Sequence, residues 1–130
     1  MKPLPKDFSD EALIEVIDEW AGLMEAEDYD AAFRFTEQVP GMKWTPELYR
    51  KVIKSYDECL PTQKVTVEGK PTDISQRKEV SLWAPNSRNE IGEIWYDLNI
   101  DGFVSDLTAT FCICLVPEGI ILRLNDIHVM

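Results

Sequence analysis

One histidine, His128, is all the imidazole that this 130-residue sequence has. A triad-type hydrolase would hang entirely on it, with no nucleophile motif in support. No HExxH pair, glycine-rich phosphate loop, Walker spacing or Rossmann spacing occurs, so the commonest metalloprotease and nucleotide-binding readings are excluded. Cysteine is scarce too: Cys59, Cys112 and Cys114. An odd count without a framework spacing argues against a disulfide scaffold. Cys112 and Cys114 are two apart on one strand face, and with a single histidine they make a poor zinc site. They read as structural thiols in a reducing cytosol, and no cofactor is implied. Positive charge is in deficit, with 13 basic residues against 24 acidic ones and a net charge of -11. Phosphate backbones and anionic membrane surfaces repel such a chain, which speaks against nucleic acid and membrane as partners. A basic protein partner, or plain solubility, fits better. No stretch approaches the ~20 apolar residues of a membrane span. The start, Met1-Lys2-Pro3-Leu4-Pro5-Lys6, has no apolar signal-peptide core.

What is present suits one domain, residues 1–130, with a genuine core: hydrophobic residues make up 45%. Ser9 is an N-cap followed by Asp10 and Glu11. Leu13, Val16, Ile17, Trp20, Leu23 and Met24 then recur at helical spacing, which predicts an amphipathic helix to about Glu27. Its polar face is acidic. Asp28 caps a second, short helix through Tyr29, Ala32, Phe33 and Thr36. Pro40-Gly41 breaks the chain. Thr45-Pro46-Glu47 starts a third helix, with Leu48, Tyr49, Val52, Ile53, Tyr56 and Leu60 as its buried stripe and Pro61 as its end.

The period then changes. Lys64–Glu68 and Glu79–Ala84 alternate as strands. The stretch from Ile91 to Met130 reads as three consecutive antiparallel strands. Asp101-Gly102 is a type I′ hairpin signal. It places Ile100 opposite Phe103, Asp97 opposite Asp106, and Tyr96 opposite Leu107. A second turn centred on Glu118-Gly119 places Ile113 opposite Leu124, Phe111 opposite Asp126, and Ala109 opposite His128. A bulged three-residue turn is the alternative and would shift this register. One face then collects Ile94, Tyr96, Leu98, Leu107, Ala109, Phe111, Ile113, Leu115, Ile120, Leu122 and Leu124, continued by Asp126 and His128. The other carries Trp95, Asp97, Asp106, the paired cysteines, Arg123, Ile127 and Val129. Helices first and a meander of about five strands after imply α+β, with the helices packed on one face of a curved antiparallel sheet.

In this order of elements the chain resembles the NTF2-like (SnoaL-like, cystatin-type) α+β cone. The long first helix with Trp20, the segment Glu27-Asp28-Tyr29-Asp30-Ala31-Ala32 and the C-terminal meander carry the resemblance. One departure is the lack of a clear short strand between the second and third helices. The resemblance implies a curved sheet wrapped around a helix, often a pocket in the cone, and frequent dimers across the sheet. Some members are dehydratases or isomerases, and many only bind ligands or proteins. The runs Trp95-Tyr96-Asp97-Leu98, Ser105-Asp106-Leu107-Thr108-Ala109 and Asp126-Ile127-His128-Val129 also look like uncharacterised bacterial families, some of them suspected immunity proteins.

Three constellations are candidates for function. Asp126 and His128, with Tyr96 near them, are the candidate catalytic residues. A carboxylate beside an imidazole can poise a general base in a cone pocket that takes a small ligand. The structural alternative is that they close the open end of the sheet. Asp97 and Asp106 are the second: like charges facing across a strand pair need a basic side chain, a cation, a shared proton or another register. No metal is assigned to them. The third is the outer face around Trp95 and Trp83, a surface for a homodimer or a basic protein partner, or else one covered by the N-terminal segment or a loop. Trp95, Asp97, Asp106 and Phe111 are the candidate binding residues. The leading expectation is a cytoplasmic binding module, immunity-type in its most concrete form. The alternative is a small-molecule binder or lyase/isomerase.

Overall fold

Among the described residues three local caps start three helices. Ser9 Oγ accepts the Ala12 N–H at 3.1 Å and opens α1, Asp10–Glu25. Asp28 Oδ1 accepts the Ala31 N–H at 3.1 Å and opens α2, Tyr29–Phe35. Thr45 Oγ1 accepts the Leu48 N–H at 3.0 Å and opens α3, Pro46–Lys54. Each cap satisfies a backbone donor that the first helical turn leaves unpaired. The computed structural model describes residues 2–38, 44–56, 62–72 and 74–129. The Pro40-Gly41 break, Cys59, Leu60 and the Pro61 stop lie outside the described residues. Helix α3 ends at Lys54, with Ser55 as its C-cap, rather than running to Tyr56 and beyond.

Among the described residues six strands follow the chain order β1 Glu37–Gln38, β2 Val65–Thr66, β3 Lys78–Leu82, β4 Glu90–Ile100, β5 Phe103–Val116 and β6 Gly119–Val129. The class is α+β: three helices packed against a strongly curled mixed sheet, a half-barrel. The path is β1-β6-β5-β4-β2, and β3 also pairs with β4. Strand β1 is the one that the sequence does not announce. It lies between α2 and α3 and pairs with β6 in parallel, Glu37 opposite Arg123. The sheet is therefore mixed, not a plain antiparallel meander.

The first hairpin turn is as the sequence predicts. Asp101 and Gly102 both have positive φ, 52° and 84°, and Ile100 faces Phe103. Beyond it the ladder slips. Asn99 pairs with Val104, but Asp97 pairs with Thr108, so β5 carries two extra residues at that point. Ser105 fills this bulge: its Oγ donates to the Leu98 carbonyl at 2.6 Å and accepts the Leu107 N–H at 3.2 Å. The expected Asp97–Asp106 confrontation does not form, and its like-charge cost is avoided. A slip of two keeps each side chain on its face, so Tyr96 faces Ala109 and Ile94 faces Phe111.

The second hairpin turns on Pro117-Glu118 rather than on the expected Glu118-Gly119, with Val116 opposite Gly119 and Leu115 opposite Ile120. Ile113 therefore faces Leu122 instead of Leu124, a shift of two that keeps the faces. Gly119 has φ 148°, and a Cβ there would stand 2.0 Å from the Leu4 carbonyl oxygen. Leu4 pairs with Ile120 through two backbone hydrogen bonds of 2.8 and 2.9 Å, covering the start of the β6 edge.

The concave face holds the core. Leu13, Ile17, Trp20, Ala21 and Met24 of α1 are buried against Ile94, Tyr96, Leu98, Ala109, Phe111, Ile113, Leu122 and Leu124 of the sheet. Trp20 meets Phe111 edge-on at 5.1 Å and Tyr49 at 6.4 Å, and Tyr49 meets Phe33 and Trp44 at 6.1 and 5.4 Å. Such pairs add about 0.5–1.5 kcal/mol each beyond their buried area.

A buried lysine ties the helices together. Lys54 Nζ donates to Glu27 Oε2 and to the Gln63 carbonyl, both at 2.6 Å. The Lys54 hydrogen bond holds the Glu27 carboxyl below its ordinary value of 4.5. Glu27 therefore binds its proton more weakly in the folded state. The pair contributes stability above the ordinary carboxylate range, and that stability is lost as pH falls through the lowered pKa. The Glu27 side chain is 44% exposed, so solvent screening keeps the contribution below about 1 kcal/mol. Lys54→Met is expected to flatten that part of the acid-side profile. Melting temperatures from about pH 6 down to about pH 3 test this, and an unchanged slope would remove the pair from the account.

Candidate functional site

The decisive local feature is a one-residue bulge in β6. Phe111 faces Leu124, but the next pair is Thr110 with Asp126, so Asn125 is extra. A slip of one exchanges the faces of everything beyond it. Ile127 and Val129 turn to the concave side, opposite Ala109 and Leu107. Asp126 and His128 turn to the convex side, opposite Thr110 and Thr108. This corrects the expected register, in which Asp126 and His128 continued the apolar row while Ile127 and Val129 lay outside. The Asn125 carbonyl accepts the Trp44 indole N–H at 3.3 Å, a partner from the segment before α3.

The convex face is then a lattice across four strands. Transverse rows read Asp97–Thr108–His128, with Arg77 beside Asp97; Glu79–Trp95–Thr110–Asp126; and Ser81–Glu93–Cys112–Arg123. Trp95 sits at its centre, half-buried. The Arg77 guanidinium lies over its ring at 4.8 Å, and the His128 ring meets it edge-on at 6.4 Å. Its indole N–H donates to Glu93 Oε1 at 2.7 Å. An arginine stacked on tryptophan is held in place by the ring, and this one also turns Nη2 to Asp97 Oδ1 at 3.5 Å.

Asp97 is the anchor beneath this arrangement. It is 8% exposed. Oδ2 accepts the Arg77 backbone N–H at 2.9 Å, and Oδ1 accepts Thr108 Oγ1 at 2.7 Å and Arg77 Nη2 at 3.5 Å. The Asp97 carbonyl accepts Gln76 Nε2 at 2.7 Å, and its N–H donates to the Arg77 carbonyl at 2.8 Å. A basic side chain thus offsets the charge of Asp97, one of the solutions the sequence left open.

His128 Nδ1 lies 3.1 Å from Asp126 Oδ2, an ion-pair separation without hydrogen-bond alignment. The two side chains are 38% and 46% exposed, so the pair faces solvent rather than a cone pocket. Tyr96 is on the other face, buried, donating to Asp18 Oδ1 at 2.6 Å. Burial and the Asp18 carboxylate push its hydroxyl pKa well up. Tyr96 is thus separated from Asp126 and His128 by the sheet, and the three are not assembled around one cavity. Phe111 is fully buried against Trp20 and Leu124 and presents no surface to a partner. Asp106 is exposed at the β5 bulge, where it accepts the Tyr56 hydroxyl. Trp83 lies past the end of β3, 43% exposed, with its indole N–H on the Glu90 carbonyl at 3.1 Å. Of the free thiols among the described residues, Cys114 is buried and Cys112 partly so. Burial and the Glu90 carboxylate push the Cys112 thiol up to about 12, so it stays protonated and unreactive.

Arg77 was missed in the sequence because it sits in what reads as a loop. The bulge did leave a signal. In β6 the apolar residues of the concave face fall at Ile120, Leu122 and Leu124, then at Ile127 and Val129, with Ile121 on the convex side. The phase breaks at the consecutive polar pair Asn125-Asp126.

The concave space that a cone pocket would use is filled by Trp20, Tyr49, Tyr96 and Phe111. A cleft of about 400 Å³ lies instead beside the first turns of α1 and β3. No helix among the described residues is long and apolar enough to cross a membrane. No protein-family model, curated protein or solved structure matches the chain.

Proposed function

We propose that this chain is an NTF2-like binding module that docks a basic protein on the convex face of its sheet. The single observation that carries the reading is Trp95: a half-buried tryptophan at the centre of the convex lattice, contacted by Arg77 and His128 and rimmed by Glu79, Glu93 and Asp126. Tryptophan and arginine are the side chains that dominate interface energetics when a partner desolvates them. The net charge of -11 favours and accelerates approach of a basic surface. The β1 strand between α2 and α3 supplies the element whose absence set the sequence apart from the NTF2-like order. An immunity-type protein that blocks a basic toxin domain is the most concrete form of this reading and rests on resemblance.

The pocket alternative loses its geometric basis, because Asp126 and His128 share the convex face with Trp95. The test is native mass spectrometry of wild type and Trp95→Lys, each purified gently from the native host. A stoichiometric basic protein on the wild type, absent from a variant with unchanged circular dichroism, is the expected result. A homodimer in its place would move the assignment to self-assembly. Bare monomers in both would end the interface reading.

A further inference from the structure

Strand β3 has one open side. The Arg77 carbonyl accepts the Asp97 N–H, and the Trp83 N–H donates to the Ile91 carbonyl, both at 2.8 Å. Alternate residues of an antiparallel strand turn both backbone groups to the same side. Arg77, Glu79, Ser81 and Trp83 therefore address β4, while Lys78, Val80 and Leu82 turn their N–H and C=O groups outward. Among the described residues, no backbone group meets them there. The end of the edge is apolar and bare: Leu82 is 55% exposed.

This edge borders the 400 Å³ cleft lined by Asp10, Glu11, Ile14 and Glu15 of α1 with Lys78 and Val80 of β3. Lys78 is already engaged, 2.9 Å from Asp18 and over the Tyr96 ring. The charge left to the cleft is that of Asp10, Glu11 and Glu15, above an apolar floor of Ile14 and Val80.

The geometry points to β3 as a docking edge for an extended basic segment of another protein, which adds to the sheet as a further strand. Main-chain hydrogen bonds to Lys78, Val80 and Leu82 supply the pairing. Every second side chain of the incoming strand enters the cleft. Lysine or arginine fits there, laying its aliphatic stem on Ile14 and Val80 and its charge among the carboxylates. A second copy of this chain is the poorer occupant. Edge-to-edge pairing would set Asp10, Glu11 and Glu15 of one copy near those of the other, with a net charge of -11 on each. This edge is separate from the convex face around Trp95, and either surface can fail its test without the other.

The experiment is fluorescence anisotropy of the whole chain with a dye-labelled peptide of alternating lysine and threonine, about ten residues long, which suits a strand of this length. Two further peptides carry backbone N-methyl groups, one on every lysine and the other on every threonine. Only one alternate set of amides can face β3, so one methylated peptide should bind at least about tenfold more weakly and the other within about twofold. A glutamate–threonine peptide should not bind. Glu11→Gln with Glu15→Gln, at unchanged helicity, should weaken the lysine–threonine peptide by about threefold or more at low salt. Equal affinity of both methylated peptides would reduce the effect to charge attraction and overturn strand addition. No binding of the lysine–threonine peptide, or equal binding of the acidic one, would overturn the proposal outright.

Discussion

Replacing Trp20 by alanine is expected to destabilise the protein by about 3–5 kcal/mol, the range for emptying a large aromatic site in a packed core. Trp20 is fully buried at the middle of α1 and joins three layers of the structure: Phe111 of the sheet, Tyr49 of α3, and its own helix. No neighbour can relax into the space without leaving its own ring contacts. Small domains have only about 5–15 kcal/mol in all, so the variant approaches the edge of folding. Trp20→Phe separates two contributions. The indole nitrogen has no hydrogen-bond partner among the described residues, and a buried unpaired donor is itself a cost of about 1–3 kcal/mol. Phenylalanine removes that donor and keeps a ring against Phe111 and Tyr49, so its loss should be about 1–2 kcal/mol. Urea unfolding of both variants gives the comparison. A Trp20→Ala loss under about 1 kcal/mol would mean that the sheet does not close on α1.

Asp97→Ala should cost about 2–4 kcal/mol, for a different reason: it strands partners rather than making a hole. Thr108 Oγ1 and the Arg77 N–H lose their acceptor, and the Arg77 guanidinium loses its counter-charge. The loss is local as well as global. Residues 76 and 77 are pinned to β4 largely through Asp97, so the amides of β3 that face β4 should exchange with solvent faster than those of the β5–β6 ladder. Hydrogen exchange with mass spectrometry reads this directly. Asp97→Asn is the informative partner variant, because an amide can accept only one of the two main bonds and must point a donor at the other. It should fall between wild type and alanine. If β3 exchanges no faster in Asp97→Ala, the clasp is not what holds that strand.

How far the fold was legible follows the range of the forces involved. Ser9, Asp28 and Thr45 each cap a helix by bonding three residues on, so the information is local and the helix starts read cleanly. Asp101-Gly102 is legible for the same reason: its positive φ angles are a property of two residues. The bulges at Ser105 and Asn125 are different. Ser105 creates space in β5 by bonding Leu98 across the hairpin, and Asn125 is held by Trp44, far away in the chain. Pairing counted outward from a turn assumes an unbroken ladder, so it carried Asp97 to Asp106 and Asp126 to the wrong face. The slip of two preserved the faces of β4 and β5, which is why the core row was predicted well. The slip of one in β6 did not, and it moved the candidate catalytic pair from the cone to the convex surface. β1 is two polar residues whose strand character exists only because Arg123 and Leu124 lie alongside. No propensity marks it.

The covering of the β6 edge has a kinetic consequence. Leu4 pairs with Ile120, and Glu37 with Arg123, so both of these edge contacts join early and late parts of the chain. The β4–β5–β6 ladders, by contrast, close through short turns. Contacts that must first close long loops form late, because chain entropy is lost before any bond is gained. The triple-stranded ladder can therefore form while its outer edge is still open, and that edge is sealed only later, with the other long-range contacts of the N-terminal half. Until then the outer edge of an Ile- and Leu-rich strand stands open, which makes the interval before closure the one in which folding competes with aggregation.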